Sequence, residues 1–174
     1  MSVRIVVMGP SGSGKSTVGA ALAESLGARF VDGDDLHPLT NVEKMAAGIA
    51  LDDEDRMPWL RVVGRTLAAE THIVVACSAL RRCYRDAIRA EAPDAIFVEL
   101  HGERETLARR LGGRSDHFMP ASLLDSQLDA WEPLTDDEYG VRVDAALPLV
   151  PEVAAIRKAL AAMTGTPGES QSLR

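Results

Sequence analysis

The chain has 174 residues, 46% hydrophobic and 26% charged, which supports one domain with a substantial core and argues against two. No apolar run approaches the roughly 20 residues that span a bilayer, and two cysteines, Cys77 and Cys83, form neither a disulfide framework nor a Cys-x-x-Cys metal spacing. With 19 basic against 26 acidic residues the net charge is −7, which disfavours nucleic acid or an anionic membrane as the main partner.

The distribution of charge says more than the sum. Asp32, Asp34, Asp35, Glu43, Asp52, Asp53, Glu54 and Asp55 face only Lys44 within residues 32–55, so this stretch alone carries a charge equal to the total. Residues 81–114 hold eight arginines against six acids. An anionic ligand would have to be held locally, in a pocket that such arginines could line.

In chain order, residues 3–8 are a nearly continuous β-branched run leading straight into a glycine-rich loop rather than a cleavable leader, and a cytoplasmic setting is expected. A helix over 15–26 repeats Val18, Leu22 and Leu26 on one stripe, with Gly27 as its stop. A short strand at 29–31 follows. Thr40 and Glu43 read as a capping box for a short helix ending near Gly48. Pro58 is tolerated in a first turn, which predicts a helix from about Asp55 to Ala69. Strands are then expected at 72–76, 95–100 and 141–144, with helices at 79–91, 103–111, 120–131 and 151–163. Short apolar segments alternating with amphipathic ones indicate an α/β fold, a doubly wound five-stranded parallel sheet flanked by helices. The expected organisation is a single domain over 1–163, with a substrate-binding insertion at 33–65, a lid loop at 112–119 and a flexible tail at 164–174.

Gly9-Pro10-Ser11-Gly12-Ser13-Gly14-Lys15-Ser16 matches the phosphate-binding loop in full, directly after a strand and before a helix. The glycines let backbone N–H groups turn inward toward phosphate oxygens, and the helix N-terminus adds its dipole. Lys15 is placed to bridge the β- and γ-phosphates, and Ser16 to offer its hydroxyl to Mg2+. The Asn-Lys-x-Asp element for guanine is missing, because Asn41 is the only asparagine and Val42 follows it. Strand two ends Val31-Asp32-Gly33-Asp34, at the edge where a doubly wound sheet binds its ligands. Asp32 is read as holding a metal-bound water and Asp34 as taking the proton of an attacking hydroxyl. The alternative is a turn that simply favours Asp-Gly.

Further phrases extend this pattern. They are Asp35-Leu36-His37-Pro38, Asn41-Val42-Glu43-Lys44-Met45, Leu51-Asp52-Asp53-Glu54-Asp55-Arg56, Pro58-Trp59-Leu60, Cys77-Ser78-Ala79-Leu80-Arg81-Arg82-Cys83-Tyr84-Arg85-Asp86, His117-Phe118-Met119-Pro120, Ser126-Gln127 and Glu132-Pro133-Leu134. In order and spacing they resemble the thermoresistant gluconokinase family up to about residue 150. The resemblance implies a P-loop fold of the nucleoside-monophosphate and shikimate kinase type with a lid. It implies transfer of the ATP γ-phosphate to the C6 hydroxyl of D-gluconate, and a homodimer.

Carried onto this sequence, the resemblance assigns ATP phosphates and Mg2+ to the loop, with Gly9, Ser11, Gly12, Ser13, Gly14, Lys15, Ser16 and Thr17. Asp34 becomes the base and Asp32 lies near the metal. A linear polyhydroxy acid calls for hydrogen bonds and a cation, for which His37, Arg56, Arg81 and Arg85 are the candidates. Arg109, Arg110 and Arg114 are assigned to the lid side over ATP, and His117 either reaches the substrate or serves as a hinge. For each arginine the competing reading is a structural salt bridge. Trp59 is expected to pack the substrate helix, and Cys77 to be a small buried residue. A same-fold kinase for another small hydroxy acid such as shikimate, and a nucleotide-binding regulator without catalysis, stay open as alternatives.

Overall fold

The computed structural model describes residues 1–112 and 121–165. Most of the lid loop, with Arg114 and His117, and residues 166–174 of the expected tail lie outside the described residues. The elements run β1 (Val3–Met8), α1 (Lys15–Leu26), β2 (Arg29–Asp32), a 3₁₀ turn (Gly33–Leu36), α2 (Leu39–Ala46), α3 (Asp53–Ala68), β3 (His72–Ala76), α4 (Arg82–Glu91), β4 (Ile96–His101), α5 (Arg104–Gly112), α6 (Ala121–Ala130), β5 (Gly140–Asp144) and α7 (Leu149–Thr164). The strands form one parallel sheet in the order β2-β3-β1-β4-β5. The chain winds first to one side of β1 and then to the other, so the crevice beyond β1 opens at the topological switch point.

Alternation along the strands feeds two cores. Val6 and Met8 of β1, with Ile73, Val75 and Phe97, pack under α3 and α4 against Leu60, Val63, Leu67 and Ile88. Ile5 and Val7, with Val74, Val98 and Leu100, pack on the opposite face against Leu22, Val153 and Ile156 of α1 and α7. Truncating one such buried side chain to alanine costs about 2–5 kcal/mol. The central strands are therefore a rigid support for the loops at their carboxyl ends. Among the described residues no helix is long and apolar enough to cross a membrane.

Three local expectations are corrected. The helix after Pro38 starts at Leu39 with no side-chain cap bond, so Thr40 sits inside the first turn and forms no capping box. The box forms instead at α3, where Asp52 accepts from the Asp55 N–H at 2.8 Å and Asp55 accepts from the Asp52 N–H at 3.2 Å. That cap starts α3 at Asp53, which puts Pro58 beyond the first turn. Finally, α4 begins at Arg82 rather than Ala79, because Ala79 has φ 33° and Arg81 is extended, which breaks the helical path.

Candidate active site

The phosphate loop takes the shape its glycines allow. Gly12 and Gly14 both have φ 83°, in the left-handed region. A Cβ on Gly12 would also lie 2.6 Å from the Leu107 carbonyl oxygen. Gly14 is the N-cap of α1, whose first turn contains no acid, so its positive end faces the loop uncompensated. The Ser13 hydroxyl is buried without a partner among the described residues. From α6, Gln127 accepts the Ser11 N–H at 2.7 Å.

At the end of β2 both readings of Asp32-Gly33-Asp34 hold together. One Asp32 oxygen caps the 3₁₀ turn, accepting the Asp34 N–H at 3.0 Å, while the other accepts the Ser16 hydroxyl at 2.9 Å. This hydroxyl–carboxylate pair beside a phosphate loop fits Mg2+, which is held by one or two protein oxygens and completes its shell with phosphates and water. Among the described residues no group of three or more His, Cys, Asp or Glu forms an all-protein metal cage.

On the Lys15 side of the loop lies a cavity of about 480 Å³, lined among others by Lys15, Asp34, His37, Arg56, Trp59 and Ser78. Its floor is built by the insertion. Trp59 is buried, donates its indole N–H to the Gly33 carbonyl at 2.8 Å and stacks on His37 with ring centroids 4.0 Å apart. Trp59 thus ties α3 to the aspartate turn and orients His37. Burial lowers the His37 pKa, Arg56 pushes the same way and Asp34 opposes, so the imidazole is neutral near pH 7. The Asn41 amide lies 3.2 Å from His37 Nδ1 and donates to the Asp55 carbonyl at 2.9 Å. With Asn41 as donor to Nδ1, the histidine proton sits on Nε2. Lys44 clasps both Asp55 oxygens at 2.6 and 2.8 Å, closing the insertion on itself.

The arginines separate into two groups. Arg56 lines the cavity and lies 5.8 Å from the centroid of the Tyr84 ring, with Arg81 5.9 Å from the same centroid. The Tyr84 hydroxyl donates to Asp53 at 2.6 Å, and Arg81 lies 3.7 Å from the same carboxylate. Arg85 is a correction. It is fully buried, both Glu138 oxygens accept from it at 2.7 Å, and its third guanidinium nitrogen donates to the carbonyls of Ala79, Leu80 and Glu132. With every nitrogen engaged, Arg85 does not bind substrate. It fastens the Ala79–Leu80 turn, where Ala79 is the one non-glycine with positive φ among the described residues. That turn follows Ser78 on the cavity wall.

Behind the loop is a second cavity of about 270 Å³, lined among others by Gly12, Gly14, Thr17, Arg110, Pro148 and Glu152. The phosphate loop is the wall between the two cavities, with Ser11 and Lys15 facing one and Gly12, Gly14 and Thr17 the other. Arg110 reaches the Leu147 carbonyl at 3.5 Å, and Arg109 is exposed on the same helix. Cys77 is buried and burial pushes its thiol up to about 12, which leaves it inert.

This arrangement has counterparts. The shikimate kinase family model matches residues 11–132. A probable gluconokinase of Xenopus tropicalis is 45% identical over 159 residues, covering 80% of this chain and 84% of the relative. The chain belongs to the gluconokinase family. The thermoresistant gluconokinase of Escherichia coli K12 is 40% identical over 149 residues, covering 83% of this chain and 85% of that one. The crystal structure of a gluconokinase from Sinorhizobium meliloti 1021 superposes with a TM-score of 0.83 at 49% identity, covering 94% of this chain and 92% of its own. As a member of the gluconokinase family the chain is a kinase, and the regulator alternative falls away.

Within this gluconokinase fold, sequence reasoning gave no role to Gln127, Asn41 or Glu152. Gln127 and Asn41 stood in the quoted phrases, but their partners are set by the fold. Glu152 carried no signal at all.

Proposed function

We propose that the chain transfers the γ-phosphoryl group of ATP to the C6 hydroxyl of D-gluconate, giving 6-phospho-D-gluconate and ADP. The observation that carries this reading is the cavity on the Lys15 side of the loop, where the exposed carboxylate of Asp34 stands with neutral His37 and cationic Arg56. A polyhydroxy acid needs those three chemistries: an acceptor for the reacting hydroxyl proton, a neutral donor for a hydroxyl, and a cation for the carboxylate.

In this reading the phosphates of ATP lie on the loop amides and Lys15, and the nucleoside leaves toward the second cavity under Arg110. Asp34 accepts the C6 hydroxyl proton as that oxygen bonds to the γ-phosphorus, and the bond from phosphorus to the β–γ bridging oxygen breaks, leaving ADP with its electron pair. Ser16 and Asp32 are the residues that would hold Mg2+, which neutralises charge on the phosphates. His37 and Arg56 position gluconate, carried by the 33–65 insertion as a flap, and Arg81, beside Tyr84 and Asp53, is assigned to assist them. Arg109 serves the nucleotide side together with Arg110. We take the working form to be a homodimer, as the resemblance implies, and its setting to be the cytoplasm; a monomeric mass by light scattering at assay concentration would contradict the dimer.

The test is ATP consumption in the presence of Mg2+ with D-gluconate, shikimate, D-glycerate and adenylate as separate acceptors. Turnover is expected with gluconate and at most weakly with the others. Folded protein that turns over shikimate and not gluconate would contradict the assignment.

A further inference from the structure

Three glutamates are buried among the described residues: Glu99, Glu138 and Glu152. The first two are matched. Glu99 accepts from Arg142 at 2.9 Å and from the Leu134 N–H at 2.6 Å, and Glu138 is held by Arg85 and Arg89. Glu152, in the first turn of α7, is only 2% exposed, yet its Oε1 has no hydrogen-bond partner among the described residues. A buried carboxylate oxygen left without a donor is costly, and native folds rarely leave one so without a use.

The surroundings point to that use. Glu152 lines the second cavity with Gly12, Gly14, Thr17, Arg110 and Pro148. A nucleotide whose phosphates lie on the loop passes its base into this cavity, because the acceptor pocket occupies the other side of the loop. Arg110 reaches the Leu147 carbonyl with one nitrogen at 3.5 Å and makes no ion pair with Glu152 among the described residues. Burial pushes the carboxyl up to about 7, with Arg110 opposing and Asp144 adding to the push, so Arg110 compensates the buried charge only in part. The terminal carboxyl torsion is soft, and either oxygen can be turned to the cavity.

We propose that Glu152 reads the nucleobase, its unpartnered carboxyl oxygen accepting an N–H from the exocyclic amino group of adenine, which makes it a specificity-determining residue for the phosphoryl donor. This rests on the assignment of ATP as donor under Proposed function. Above about pH 7 the Glu152 carboxyl is ionised and only accepts hydrogen bonds, and an amino group donating to it favours that ionised form. It therefore favours a base edge that offers an amino group and disfavours one that offers a carbonyl, as hypoxanthine does at the same ring position.

The test compares ATP with inosine triphosphate at about pH 8, above the pKa of Glu152, in the full-length wild type and in Glu152→Gln, by gluconate-dependent turnover and by calorimetric binding of each nucleotide. The wild type is expected to favour ATP in kcat/KM and in Kd by about tenfold or more, the size of one buried hydrogen bond lost and one acceptor left facing another. A glutamine amide can donate to the carbonyl, so the ratio should fall toward unity in the variant. An unchanged ratio in a folded variant overturns the proposal, as does a wild type that binds both nucleotides equally. Should Glu152→Gln fail to fold, the wild type is compared on ATP and purine riboside triphosphate, which lacks the amino group; equal affinity overturns the proposal and a preference for ATP supports it. Because binding reports the ratio without turnover, a failure of gluconate phosphorylation would strike the proposed function and leave this inference separately decided.

Discussion

The acidic insertion and the arginine-rich segment have opposite charge patterns in the sequence, and they use their charges in different ways. In the insertion the acids organise the pocket. Asp52 and Asp55 cap α3, Asp55 holds Lys44, and Asp34 is left exposed on the cavity wall. In the segment 81–114 four of the eight arginines are consumed by the fold. Arg85 and Arg89 hold buried Glu138, Arg82 pairs with Asp137, and Arg104 pairs with Asp125. Among the described residues Arg56 lines the first cavity and Arg110 the second, while Arg81 lies beside Tyr84 and Arg109 is exposed on α5. A count of arginines therefore overstates the field that meets an anionic ligand, because several are already neutralised by carboxylates of the fold.

The contrast can be broken most severely at Arg85. Arg85→Ala removes the bidentate partner of buried Glu138, leaving it with Arg89 at one oxygen, and is expected to cost about 3–5 kcal/mol, read as a large loss of urea midpoint. Arg56→Ala should leave that midpoint nearly unchanged while raising KM for D-gluconate roughly tenfold or more, by loss of a charge-assisted contact. If Arg85→Ala were as stable as wild type with a raised KM, the two arginines would have to exchange roles.

The same buried pair sets an acid limit. Burial pushes the Glu138 carboxyl up, but Arg85 and Arg89 outweigh it and hold the pKa down at about 2, against 4.5 for a free glutamate. A depressed folded pKa contributes stability that is fully present above about pH 4.5 and lost as pH falls toward 2. Thermal melts across that window should show a steep decline. Glu138→Gln should start lower and decline less; a parallel decline would mean that other carboxylates govern the acid transition.

A smaller effect separates the two caps. Asp52→Ala should cost about 1 kcal/mol by removing a side-chain acceptor at the start of α3. Thr40→Ala, at a position that caps nothing, should stay within about 0.5 kcal/mol. Chemical denaturation resolves the pair, and equal losses would restore Thr40 as a cap.

These differences also explain what was legible in the sequence. The phosphate loop and all five strands could be read because their signals are local: a fixed glycine spacing and short apolar runs. The aspartate turn was legible for the same reason. Arg85 was misread because its carboxylate partner lies 53 positions away in the chain, and helical spacing says nothing about such a partner. Gln127 meets Ser11 across 116 positions. The start of α4 shifted because Ala79 takes a positive φ that alanine seldom adopts. Local pattern fixes the loop and sheet, whereas the assignment of each charge depends on long-range packing.

The central claim is that phosphoryl transfer to gluconate takes place in the cavity shared by Lys15 and Asp34. It is tested most directly by single-turnover transfer from ATP to D-gluconate in wild type and Asp34→Asn, with ATP affinity measured on the same samples. The account predicts nearly unchanged ATP affinity and a transfer rate reduced by roughly 100-fold or more, the scale of a lost general base. Transfer by Asp34→Asn at the wild-type rate, or a loss confined to ATP affinity, would contradict it.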